Sequence, residues 1–142
     1  MQTCTFRLDG RLYGIDVLHV QEILRRQPTT PVPLAESAVE GLINLRGQIV
    51  TAIDLRRRLH LPERTAGAPS VNVVVRVGTG VVSLVVDEIG DVMELPDADF
   101  EATPDTVSAQ VRPFLKGVSK LTGHLVLLLD PDRAVDLAAG AV

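Results

Sequence analysis

One cysteine, Cys4, no tryptophan and an aromatic content of 3% leave these 142 residues short of several groups around which proteins build chemistry. A single cysteine excludes an internal disulfide and fits a reducing compartment. Phe6, Tyr13, Phe100 and Phe114 are too few to form a stacking platform for single-stranded bases. Positive charge is short as well: 14 Lys+Arg against 18 Asp+Glu leave no electrostatic footprint for nucleic acid. No apolar run reaches the roughly 18 residues of a membrane span. The opening Met-Gln-Thr-Cys-Thr-Phe-Arg-Leu-Asp lacks the basic start and apolar core of an export signal. A soluble cytoplasmic protein, with no nucleic-acid partner and no direct membrane insertion, is the expectation.

Reactive constellations are missing too. His19, His60 and His124 are scattered, and none has a second ligand type at metal spacing. Nothing resembles Gly-x-Ser-x-Gly or a Cys/His pairing. Gly78-Thr79-Gly80 has no following Lys-Ser/Thr and opens a strand, so it reads as a hairpin turn and not a phosphate loop. Asp87-Glu88 and Asp97/Asp99 stand among turn residues, where solvated charge is the ordinary state. The expectation is a binding module with no cofactor, no metal and no catalytic residues.

What the chain does have is β-scaffold, at 46% hydrophobic residues. Gly41 to Arg58 is organised as two apolar runs hinged at Arg46-Gly47, a β-hairpin that holds an arginine at its tip. Asp54 is placed to cap a short helical segment, Leu55 to Leu59. Gly41 set against Gly117, a shift of 76, pairs Leu45 with Leu121, Gly47 with Gly123, Val50 with Val126, Asp54 with Asp130 and Arg57 with Arg133. A looser echo at a shift of 69 sets Leu12, Ile15, Val17, Val20 and Ile23 beside Val81, Leu84, Val86, Ile89 and Val92, a match that apolar periodicity alone could produce. Asp9-Gly10 marks a hairpin between Thr3–Leu8 and Arg11–Asp16. Val17 to His19 reads as a helical turn, Val20 to Arg26 as extended, and Glu36 to Val39 as a single helical turn. Leu61 to Pro69 is read as a surface loop, and the seam between two halves is placed in the loop 61–70, with room for the terminal segments to cross between them. The valine-rich runs Val71–Val77 and Val81–Val86 suggest strands buried on both faces. Ile89 to Leu95 reads as a further strand, and Asp97 to Val111 as a long acidic connection. A final hairpin around Thr122-Gly123 precedes a helix over Pro131–Leu137 and a frayed end at Ala138–Val142. Short strands at regular spacing and no long helix give an all-β fold, read as two small barrels side by side.

Three stretches carry a resemblance to the CheW family, the adaptors of bacterial chemotaxis arrays. They are Tyr13 to Ile23, then Gly41-Leu42-Ile43-Asn44-Leu45-Arg46-Gly47-Gln48-Ile49-Val50 with Ile53-Asp54-Leu55-Arg56, then Val81 to Asp87 with Asp91-Val92. The similarity runs from about Phe6 to Leu137. It implies a single CheW-like domain over 1–142, built of two SH3-like five-stranded β-barrel subdomains with a few short helices. It also implies an adaptor that couples transmembrane chemoreceptors to the histidine kinase CheA. The implied partners are the cytoplasmic helical tip of methyl-accepting chemoreceptors and the regulatory domain of the kinase. By position, Glu22, Gly41, Arg46, Ile89 and Val92 match places the family uses for partner contact, with Val20 and Val71 as further candidates. From residue type alone, Arg46 also reads as a solvated turn arginine, Glu22 as a polar residue alternating with apolar neighbours, Gly41 as relief of backbone strain, and Ile89 and Val92 as core. A guanidinium on a stiff tip is equally placed to pair with a carboxylate such as Glu22 or to reach a partner helix at two points. Thr51-Ala52 stands where family members commonly carry a proline after Ile-Val, which leaves that strand an extra N–H for pairing. A CheW-like domain of a larger chemosensory protein, such as a kinase regulatory domain or a receiver-fused adaptor, is the alternative in the same class. A small-ligand-binding β-barrel protein is the alternative from another.

Overall fold

The computed structural model describes residues 1–78, 80–95, 100, 101, 103, 107–121 and 123–137. The Asp97/Asp99 pair, the middle of the acidic connection, Thr79, Thr122 and the end from Ala138 to Val142 lie outside the described residues. The first half of the chain gives β1 (Gln2–Leu8), β2 (Arg11–Asp16), β3 (Val20–Arg25), β4 (Val39–Leu45), β5 (Gln48–Asp54) and α1 (Leu55–Arg58). The second gives β6 (Val71–Val77), β7 (Gly80–Val86), β8 (Glu88–Glu94), β9 (Phe100–Glu101), β10 (Leu115–Leu121), β11 (His124–Leu129) and α2 (Pro131–Val135). Single 3-10 turns lie at Val17–His19 and Arg112–Phe114.

Turn chemistry sets the hairpins. Arg46 and Gly47 both have positive φ, 53° and 88°, as do Asp9 and Gly10 at 52° and 78°. Two consecutive positive φ values define the tight turn whose twist matches that of the flanking strands. Each short helix starts on an aspartate: the Asp54 carboxylate accepts from the Arg56 N–H, and the Asp130 carboxylate from those of Asp132 and Arg133. Glu36 to Val39 is not a helical turn; Val39 N donates to the Glu36 carbonyl at 2.9 Å in an isolated turn, and β4 already begins at Val39.

The strands form two sheets, in the orders β8-β1-β2-β11-β10-β9 and β3-β6-β7-β5-β4. Each has five long strands, the first adding the two-residue β9. Shifting by 76 carries β4, β5 and α1 onto β10, β11 and α2, and shifting by 69 carries β1, β2 and β3 onto β6, β7 and β8. With both shifts applied, the two sheet orders match strand for strand, and each contains one parallel pair, β2 with β11 and β7 with β5. The register irregularities match as well: Val39/Gly41 in β4 answers Leu115/Gly117 in β10. The looser echo is therefore a repeat of topology.

Two expectations need correction. The sheets are open ladders and not closed barrels; in the second, Thr30 bridges to Leu42 and a side-chain ion pair spans the outer strands, where a closed barrel would have a full ladder. The loop 61–70 is not the seam, because it joins α1 to β6 inside the second sheet. The chain changes sheets at Asp16–Val20 and again at Val86–Glu88, so each leading hairpin gives its third strand to the other sheet. Loop composition marks exposure, but it carries no signal for this exchange.

Three cores follow from the two-residue alternation of strands. A shared core takes Phe6, Tyr13, Ile15 and Leu127 from the first sheet and Val73, Val75 and Leu84 from the second. Phe6 and Tyr13 stack there at 5.8 Å between ring centroids. The opposite face of the second sheet has its own core of Ile43, Val50, Ala52, Val74 and Val85, and that of the first has Leu95, Val126 and Leu128. This explains valine on both parities of β6: odd positions meet the other sheet, and Val74 meets a private core.

Candidate functional site

Of the seven candidate residues, the structure brings Glu22 and Arg46 into direct contact. Glu22 lies on β3 and Arg46 at the tip of the β4–β5 hairpin, on opposite outer strands of one sheet. The two meet because that sheet curls. Arg46 donates through both Nη atoms to the two Glu22 carboxylate oxygens, the Nη1 to Oε1 bond at 3.1 Å. A planar guanidinium fork suits this two-point geometry. The hydrogen bond from Arg46 holds the Glu22 carboxyl below its ordinary range and raises Arg46 in return. Arg46 is stiffly held: Asn44 Oδ1 accepts from Gly47 N at 2.8 Å beneath it. The Arg46 side chain remains 67% exposed, so the pair is presented at the surface.

The other candidates occupy different settings. Val20, Val71 and Ile89 are half-buried and packed against the shared core, and Val20 and Ile89 are counterparts under the shift of 69. Val92 is 58% exposed on β8, an outer strand of the first sheet. Gly41 has a structural duty. A Cβ there would stand 2.6 Å from the Thr30 carbonyl oxygen, just where Thr30 and Leu42 exchange backbone hydrogen bonds of 2.8 and 2.9 Å. Any side chain would push the 29–30 strap off β4.

Several exposed apolar side chains were not singled out from the sequence. Ile23 on β3 is the counterpart of Val92 and also exposed, at 43%; Ile49 beside the Arg46 tip is 61% exposed, and Leu18 is 77% exposed. Parity holds a usable signal for Ile49: once Val50 and Ala52 are assigned to a core, Ile49 must face away. Outer strands bearing large apolar side chains are ready surfaces for another chain.

Charged groups hidden between the sheets were also missed. Asp87 accepts from Arg56 Nε at 2.9 Å and Nη2 at 2.5 Å, from Arg64 Nε at 3.0 Å and Nη2 at 2.9 Å, and from the Asp9 N–H at 2.9 Å. Burial pushes its carboxyl up, but the hydrogen bonds from Arg56, Asp9 and Arg64 outweigh this and hold it below the ordinary value. Asp87-Glu88 was expected to be solvated, yet the Asp87 side chain is only 18% exposed. Arg58 spans the sheets differently. From α1 it donates to the Ala134, Arg133 and Asp136 carbonyls at 2.7, 3.2 and 3.2 Å, while lying 4.6 Å above the Phe114 ring centre. It thereby adds a donor to carbonyls at the C-terminal end of α2, where the Arg133 carbonyl also accepts from Asp136 N.

Among the described residues no group of three or more His, Cys, Asp and Glu could hold a metal ion. Among the described residues, four cavities of about 130 to 250 Å³ stand out, and none of the seven candidates lines any of these four. Ligand pockets typically enclose about 300 to 1,000 Å³. No helix among the described residues is long and apolar enough to cross a membrane.

A family model, the CheW-like domain, matches residues 2–139. A chemotaxis protein CheW from Rhizobium meliloti is 33% identical over 127 residues, covering 89% of this chain and 82% of that one. One from Treponema pallidum is 32% identical over 133 residues, covering 91% and 78%. The solved structure of the scaffolding protein TtCheW from Thermoanaerobacter tengcongensis superposes with a TM-score of 0.83 at 27% identity, covering 91% of this chain and 88% of that one.

Proposed function

The chain belongs to the CheW-like family, and on that premise we propose that it is an adaptor coupling transmembrane chemoreceptors to the histidine kinase CheA. It acts in the cytoplasm beside membrane receptor arrays and performs no catalysis. One partner is the helical tip of a methyl-accepting receptor and the other is the regulatory domain of the kinase. The observation that carries this reading is the Arg46–Glu22 pair presented at the surface of the second sheet, which also exposes Ile23 on β3 and Ile49 on β5. Apolar anchors supply burial against a helical or barrel partner, and the paired charges orient the approach. Val92 offers a second apolar outer strand on the other sheet. Val20, Val71 and Ile89 support these strands from below, and Gly41 keeps the strap at residues 29–30 seated.

The test is a pull-down of purified receptor-tip fragment and kinase regulatory domain by the natural chain and by Arg46→Glu. The natural chain should capture both. Arg46→Glu sets two carboxylates facing each other and should weaken capture of at least one partner by about tenfold or more. If the natural chain captures neither partner, the adaptor reading fails; if Arg46→Glu binds both undiminished, Arg46 has no part in recognition.

A further inference from the structure

Resting on that adaptor reading, we infer that the Asp87 knot is the pivot that fixes the two sheets relative to each other, and through that orientation couples what happens on one sheet to the other. Asp87 is the one residue between β7 of the second sheet and β8 of the first. Its carboxylate ties down both sides of the passage. Arg56 comes from α1 and Arg64 from the loop after it, both belonging to the second sheet's hairpin, while the Asp9 N–H comes from the β1–β2 turn of the first. Asp87 N also donates to the Arg7 carbonyl at 3.2 Å. The guanidinium groups are themselves held: Arg56 lies 3.7 Å from Asp9 and donates to the Pro62 carbonyl at 3.0 Å, and Arg64 lies 3.6 Å from Asp54. Arg56, Arg64, Asp54 and Asp87 have side-chain exposures of 16, 12, 10 and 18%. Charges this sheltered interact strongly, and each holds the others in one arrangement.

The geometry matters for coupling because the knot continues directly into β8, the outer strand that bears Ile89 and Val92, while Glu22 and Arg46 lie on the other sheet. Two binding surfaces can report on one another only if the body between them has a defined orientation. Arg58 ties α1 to α2 and not to β8, and the apolar contact of the shared core is not directional. A carboxylate gripped from three elements is.

The decisive experiment pairs a distance with a function. Spin labels at Gln48→Cys on β5 and Lys116→Cys on β10, both exposed, report the separation of the sheets; Cys4 is buried and screened from labelling. In the natural background the distance distribution should be narrow. Asp87→Asn should at least double its width, whereas His19→Ala at the other passage should leave it unchanged. In parallel, Asp87→Asn should bind receptor tip and kinase regulatory domain separately within about twofold of the natural chain. It should nevertheless lose most of the receptor's influence on kinase activity in the three-component mixture. A distribution that stays narrow overturns the inference, and so does a widened distribution with receptor control intact. If the natural chain binds neither partner, the adaptor reading falls, and the distance measurement still decides whether Asp87 sets the orientation. Should Asp87→Asn fail to fold, Arg64→Gln, which leaves Arg56 on Asp87, is judged by the same two criteria.

Discussion

At Val86–Glu88 the chain leaves the second sheet inside a knot of guanidinium and carboxylate groups. At Asp16–Val20 it leaves the first on a 3-10 turn, held by the Asp16 carboxylate on Leu18 N and by His19 Nδ1 facing the Arg76 carbonyl at 3.2 Å. The first passage is sheltered, and the second exposes Leu18 almost fully. Yet the strands on either side of the two passages are counterparts, β2 and β3 matching β7 and β8. What differs is a handful of side chains: Asp87 corresponds to Leu18, Arg56 to Asp132 and Arg58 to Ala134. Apolar alternation is enough to repeat a strand order, whereas placing charge at one of two equivalent joints makes that joint stiff and leaves the other open.

The comparison can be broken first at what both halves share. Phe6→Ala in the shared core should cost about 3 to 5 kcal/mol and lower the denaturant midpoint in a single transition seen by probes on both sheets. Separate transitions for the two sheets would mean that the shared core does not unite them. Next come the passages themselves. Asp87→Ala strands two sheltered arginines and should cost about 2 to 3 kcal/mol, discounted from a fully buried pair because the side chains are partly exposed. Asp16→Ala removes only a cap and should cost about 1 kcal/mol or less. Equal losses at the two sites would erase the asymmetry.

Acid should sharpen the same contrast. The Asp87 carboxyl is held below its ordinary value, so its contribution is complete at neutral pH and is lost as pH falls through the ordinary carboxylate range towards the lowered value. Thermal melts of the natural chain and Asp87→Asn should therefore converge as the solution is acidified below about pH 4. A gap that stays constant would place the charge of Asp87 outside the stability account. At the small end, Arg46→Ala should leave the melting temperature unchanged within error, because an exposed ion pair adds little to stability. Its effect should fall on partner capture alone. A clear drop in stability would make the Arg46–Glu22 pair a strut of the open sheet.

Much of this architecture was legible from residues. The turns at Asp9-Gly10 and Arg46-Gly47, the caps at Asp54 and Asp130, and the repeat at a shift of 76 follow from turn chemistry and periodicity, which act over a few residues. The echo at a shift of 69 is established only by the strand order. The exchange of β3 and β8 between sheets was not legible, since each strand's alternation is satisfied by either sheet and only tertiary assembly decides. Of the site, Arg46 could be placed on a tip with a carboxylate such as Glu22 as its partner, and the structure makes that pair across the outer strands because the sheet curls. Asp87 was misjudged as solvated because its burial comes from Arg56, Arg64 and Asp9, which are distant in sequence.

On the proposed adaptor reading, one stiff body holds two partners at once. Sedimentation velocity on an equimolar mixture of this chain, a receptor-tip fragment and the kinase regulatory domain tests it directly. The account predicts a boundary containing all three components that sediments faster than either binary complex. Two binary complexes that compete and never merge would contradict it.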